Sequence, residues 1–109
     1  KVGWTTPLST LFHDVKGNAT IVDDCTIVIT GFFFDGNGID VKLYGAIDSN
    51  FGAAGFPIGP QLFNFPVGYD NETLSFTLPA DKTMDDLNSI SVWCVAASIS
   101  FGDGVFIAP

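Results

Sequence analysis

Three side chains in this sequence stand out for their chemistry: Cys25, Cys94 and His13, the only two cysteines and the only histidine. A thiolate can attack, bind a metal or exchange electrons, and an imidazole can move a proton or bind a metal. Their spacing narrows those options. There is no Cys-x-x-Cys pair, and no histidine lies close in sequence to either cysteine. A type-1 copper site needs two histidines, so the usual one cannot be built here. Zinc needs more soft ligands than this set readily supplies. The residue types of a Ser-His-Asp triad occur without its recognisable contexts, so no catalytic residue is named and a non-enzyme is favoured. His13 reads first as a structural residue and second as part of a ligand site.

Both cysteines fall in apolar stretches. Cys25 to Thr30 reads as a strand with Cys25, Ile27 and Ile29 facing inward. In Ser89 to Gly102, Ile90, Val92, Cys94 and Ala96 share one face, and Ser91, Trp93, Val95 and Ala97 the other. Both faces are apolar from Trp93 onward, so this strand belongs at the centre with cover on both sides. A Cys25–Cys94 disulfide would close a loop of about 70 residues and contribute on the order of 4 kcal/mol. That bridge is the first reading. Two inert buried thiols, or one redox-active or metal-binding cysteine, remain open beside it.

Other groups suggest weaker chemistry. Asp35-Gly36-Asn37-Gly38-Ile39-Asp40 has the look of a calcium loop, but Ile39 stands where the EF-hand spacing needs an oxygen. A glycine turn capped by Asp and Asn side chains is the plainer expectation. A weak cation site would use Asp35, Asn37 and Asp40, with Asp103 brought near by the fold. Aromatic residues exceed what so small a core needs, so Trp4, His13, Tyr44, Phe51 and Phe56 are candidate ligand contacts. Asn18-Ala19-Thr20 and Asn71-Glu72-Thr73 are glycosylation sequons, both expected beside turns.

These residues need a scaffold, and the pattern of turns supplies one. Residues 1–11 read as an irregular lead-in. Short strands follow at Phe12–Lys16 and Ala19–Val22, then the Cys25 strand, which Gly31 interrupts. Phe32-Phe33-Phe34 cannot all point one way, so at least one leaves the main core. Ile39–Ile47 makes the next strand, with Val41, Leu43, Gly45 and Ile47 on one side. Residues 48–72 form a long connection with edge pieces near Phe56–Ile58 and Leu62–Phe65. Thr73–Leu78 alternates cleanly. Thr83 to Leu87 reads as one helical turn with Thr83 as N-cap and Asp86 at the third position. After Ile90–Ala97 comes Ile99–Ile107, with Gly102-Asp103-Gly104 as a bulge or hairpin turn. The fold class is all-β: one domain over residues 1–109, a β-sandwich or small barrel of roughly seven to nine mostly antiparallel strands.

Composition excludes several partners. Twelve acidic residues face four basic ones, a formal charge of −8, and every basic residue is lysine. A nucleic-acid phosphate backbone needs a Lys/Arg patch that this chain lacks. No apolar run approaches transmembrane length. The sequons and the two cysteines point to a secreted or cell-surface setting.

Several pieces in order resemble the DM13 domain family, extracellular modules found alone or beside DOMON and cytochrome b561 domains. They are His13-Asp14-Val15-Lys16-Gly17, Phe34 to Val41, Leu78-Pro79, Ile90-Ser91-Val92-Trp93-Cys94 and Phe101-Gly102. The likeness covers about residues 8–107. Phe34 stands where the family usually has Tyr, and Ile39 where it usually has Pro. The resemblance implies an extracellular redox or electron-transfer role resting on a characteristic cysteine that matches Cys94; some members carry one matching Cys25. Read from its own residues, the chain is first an extracellular, non-catalytic binding or adhesion module, cation-assisted if calcium binds. Its partner would be an extracellular protein, a glycan, a small apolar ligand or an adjacent domain of a longer chain. A redox module acting through Cys94 is the alternative. No cofactor is certain, and haem and copper stay open.

Overall fold

Alternation in the third strand sets the architecture. A computed structural model describes residues 1–109, and in it Ile27 and Ile29 are fully buried while Thr26 and Val28 are only half-buried. At Gly31, where φ is +60°, pairing with the neighbouring strand slips between Ile29 and Phe32. A one-residue bulge moves every later side chain to the other face. Phe32 and Phe34 therefore join Ile27 and Ile29 inside, while Phe33 turns outward under the Lys16 ammonium, 5.7 Å from its ring. Gly31 does not end the strand, as its sequence suggested; it re-phases it.

The strands are β1 (Thr5–Pro7), β2 (Lys16–Asp23), β3 (Thr26–Phe34), β4 (Val41–Ala46), β5 (Phe56–Ile58), β6 (Tyr69–Thr77), β7 (Ser89–Cys94) and β8 (Ile99–Val105). A four-residue helix, α1 (Phe51–Ala54), precedes β5. One sheet has the order β1-β2-β3-β6 and the other β5-β4-β7-β8, and all pairings are antiparallel. Their inner faces meet as a sandwich, not a closed barrel. Val41, Leu43 and Gly45 face inward, and β7 lies inside its sheet between β4 and β8, as its two-sided burial required.

Residues 1–11 are irregular except at β1. Thr5–Pro7 pairs with β2, and the residues after it run along β8 in the other sheet. The Ser9 amide bonds the Asp103 carbonyl at 2.8 Å, and the Leu11 and Phe12 amides share the Phe101 carbonyl at 3.0 and 2.9 Å. Gly102 and Gly104 permit this approach: a Cβ on either would strike Ser9 and Val15, or Thr6 and Pro7. These glycines stay in β8, and the bulge falls just before them, where Trp93 pairs with Ser100 and Val92 with Gly102. The expected strand at Phe12–Lys16 is instead a turn, with His13 and Asp14 at φ of 57° and 59°. Asp and His are among the non-glycine residues most often found there.

The helical turn lies at Met84–Asp86 with its capping box formed. The Thr83 hydroxyl accepts from the Asp85 amide at 3.2 Å, and the Asp86 carboxylate accepts from the Thr83 amide at 2.8 Å. No helix is long and apolar enough to cross a membrane.

Candidate functional site

The two cysteines are not bonded: both thiols are free, Cys25 exposed and Cys94 buried. This corrects the expected Cys25–Cys94 disulfide, and the reason is topological. Cys25 lies in the tight turn between β2 and β3, where Asp23 pairs with Thr26, and it does not face inward with Ile27. Cys94 ends β7 between Val41 and Ile99. That is the end where β3 finishes: Phe34 packs on Phe101 at 6.0 Å, and Gly38 lies against both Val41 and Phe101. The nine residues of β3 separate this end from Cys25, roughly 30 Å of strand against the roughly 7 Å between Cα atoms that a disulfide allows.

Each sulfur has a distinct local hold. The Asp23 carboxylate accepts from the Cys25 amide at 2.9 Å and from its thiol at 3.5 Å. The Cys25 amide first, and then the Thr26 hydroxyl, hold the Asp23 carboxyl below its usual 3.8. Cys94 is 4% exposed, and its thiol donates to the Ile39 carbonyl at 3.3 Å. The adjacent Val95 amide bonds the Asp40 carbonyl at 2.9 Å, so the 38–40 loop covers the sulfur.

His13 stands at the same end as Cys94. Its ring lies 4.4 Å from Phe101 and edge-on to Phe34 at 6.3 Å. Its Nδ1 bonds Asp35 Oδ2 at 2.8 Å, and the Asp35 amide donates back to the His13 carbonyl at 3.1 Å. Phe34 stacks on Tyr69 at 6.0 Å, and Phe32 meets Tyr69 edge-on at 5.3 Å. Burial, and then the Glu72 charge, push the Tyr69 phenol up. An imidazole–carboxylate pair can hold and pass a proton. The His13 ring bonds no hydroxyl or thiol, so it has no nucleophile to activate.

A second aromatic group lies on the outer face of the β4–β7 pair. Trp93, the residue before Cys94, sits 6.2 Å from Tyr44 and 5.8 Å from Phe51, and α1 brings Gly52 against its indole. Tyr44 and Trp93 are each half-buried. The five expected ligand residues are thus dispersed. Tyr44 and Phe51 meet through Trp93, and His13 belongs to the Phe101 end. Phe56 is buried beneath Lys82, and Trp4 packs on the core under Lys1.

The four expected cation ligands are also engaged separately. Asp35 bonds His13 and the Asn37 amide, Asn37 caps the Gly38 amide, Asp40 pairs with Lys42 at 3.0 Å, and Asp103 bonds Ser9. Nowhere do three His, Cys, Asp or Glu side chains converge. Each of these side chains has its own partner within the chain, and the one histidine is bonded to Asp35. Asn18 and Asn71 are both exposed, but they lie within β2 and β6, not beside turns. Sequence reasoning counted Phe34 and Tyr69 among the surplus aromatic residues that could line a groove, but named neither Trp93 nor Phe101 as a ligand contact. The outward positions of Tyr44 and Trp93 on their strands were legible; their pairing across two strands was not.

A family model described as "Electron transfer DM13" matches residues 7–106. The isoforms B/C of protein Skeletor from Drosophila melanogaster are 34% identical over 100 residues, covering 88% of this chain and 13% of theirs. An Arabidopsis thaliana protein named "Cytochrome b561, DM13 and DOMON domain-containing protein" is 30% identical over 104 residues, 93% of this chain and 11% of its own length. The chain thus spans about a tenth of the length of these curated relatives. No solved structure matches it.

Proposed function

We propose that this chain, which belongs to the DM13 family, is an extracellular one-electron transfer module in which Cys94 is the redox group. The family's description as electron transfer and the plant relative's name, which joins this domain to cytochrome b561, support the redox class. Neither points to adhesion, so the redox reading replaces the adhesion reading favoured by sequence. The extracellular setting rests on the sequons and the family resemblance, because the disulfide argument for it has gone.

The carrying observation is the setting of Cys94: a buried thiol bonded to a backbone carbonyl, one residue from a half-exposed tryptophan in an aromatic patch. In this reading a one-electron oxidant stronger than a cytochrome haem takes one electron from the Cys94 sulfur, and the Sγ–H proton leaves to water past the 38–40 loop, giving a thiyl radical. A reduced cytochrome docked over Tyr44 and Trp93 then returns one electron, water returns one proton, and the cytochrome is left oxidised. Cys25 is too far away to trap the oxidised sulfur as a disulfide, so the cycle stays a one-electron cycle.

Mediated electrochemical titration of the Cys25→Ser protein tests this against Cys25→Ser/Cys94→Ser. The serine keeps a donor for the Ile39 carbonyl. The first protein is expected to exchange one electron equivalent reversibly and the second none. Equal charge from both, or none from either, would overturn the proposal.

A further inference from the structure

Between the end of β3 and the segment leading into β6 lies an open groove of about 310 Å³. It is lined by the aromatic residues Phe33, Phe65 and Tyr69 and the acidic residues Asp14, Asp35 and Asp70. Asp35 is occupied by His13, whereas Asp14 and Asp70 are exposed and take part in neither of the chain's two ion pairs. Glu72 adds a further negative charge near Tyr69. The Lys16 ammonium lies over the ring of Phe33, one of the lining residues, so that ring already receives a positive group through its face. Apolar surface is left open beside the charges: Phe65 is 55% exposed and Val67 is 81% exposed.

This combination selects a particular side chain. A guanidinium stacks flat on an aromatic ring and offers forked donors to carboxylates on either side, which a hydrated ammonium does less well. These 109 residues include no arginine and carry a net charge of −8, so none of them supplies the complementary group. A free guanidinium would leave Phe65 and Val67 uncovered; an arginine flanked by apolar residues would cover them. We propose that the groove docks an arginine-bearing, otherwise apolar, extended segment of a partner protein. The guanidinium would lie against Tyr69 between Asp14 and Asp70, with the flanking residues on Phe65 and Val67. This site does not depend on the redox reading, since no residue of it carries the electron.

The test is an NMR titration of the protein with a blocked Leu-Arg-Leu peptide and with its citrulline counterpart, which keeps the shape and loses the charge. The arginine peptide is expected to shift the amides of residues 65–70. Citrulline, or the variant Asp14→Asn/Asp70→Asn, is expected to weaken binding about fivefold. Both carboxylates are exposed, so the variant should keep the native spectrum; if it does not, Asp70→Asn alone is compared at low and high salt, with high salt expected to weaken binding less in the variant than in the wild type. No shift at millimolar peptide, shifts confined to another surface, equal affinity for the citrulline peptide, or equal salt dependence in Asp70→Asn would each overturn the proposal.

Discussion

Cys25 and Cys94 carry the same atom in opposite surroundings. Cys25 sits in a solvent-facing turn, and its thiol meets only Asp23 and Thr26. Cys94 closes a strand under a loop, at the end where His13, Phe34, Phe101 and Tyr69 pack together. One end of the sandwich is a plain hairpin; the other concentrates aromatic rings, a histidine–carboxylate pair and a buried thiol. The contrast teaches that the position of a cysteine along a strand matters more than its phase. A residue in correct alternation still lies outside the core once the chain has begun to turn.

The largest expected effect follows from the packing at the Cys94 end. Phe34 is 1% exposed and touches Tyr69, Phe101 and His13. Phe34→Ala should cost about 3–5 kcal/mol in urea unfolding, whereas Cys25→Ala should stay within about 0.5 kcal/mol. Comparable losses at the two sites would erase the contrast. Next is Gly102→Ala, which forces a methyl against the Ser9 carbonyl and Val15. It should cost about 1–3 kcal/mol and loosen residues 9–12, read as faster amide exchange there than at the β2–β3 turn.

A smaller effect is expected from Asp35→Ala, which removes the bonds to His13 and to the Asn37 amide. Being partly exposed, it should cost about 1 kcal/mol and shift the Phe101 ring resonances. The smallest is at the other end. The lowered Asp23 value means that its stabilising effect is present above the unfolded value near 3.8 and is lost as pH falls through the lower folded one. Melting temperature against pH should therefore fall less steeply below about pH 4 for Asp23→Asn than for the wild type. An unchanged acid limb would remove Asp23 from the account of the Cys25 turn.

Much of the sandwich was legible because alternation and turn chemistry act locally. Val41, Leu43 and Gly45 declared their face, Phe56–Ile58 its short edge strand, and Thr83 with Asp86 its capping box. Asp35 and Asn37 were legible as the caps of a glycine turn. What alternation hides is a change of phase. Gly31 read as a break because a bulge and a strand end share the same residue type. Cys25 read as buried because the two-residue turn before Thr26 does not interrupt the apolar pattern. The role of residues 1–11 was hidden in another way, since their pairing with β2 and β8 is a long-range match that no local motif announces. The site suffered most: His13 and Asp35 were each visible, but they lie 22 residues apart and only the αL turn at His13 brings them together.

The account rests on two unlinked thiols at opposite ends, one open and one covered. Alkylation of the unreduced protein, followed by peptide mapping, tests this directly. The account predicts that Cys25 is labelled under native conditions and that Cys94 is labelled only once denaturant is added. Failure to label either cysteine until a reductant is supplied would mean that they are bridged, and both the separation of the ends and the role given to Cys94 would be contradicted.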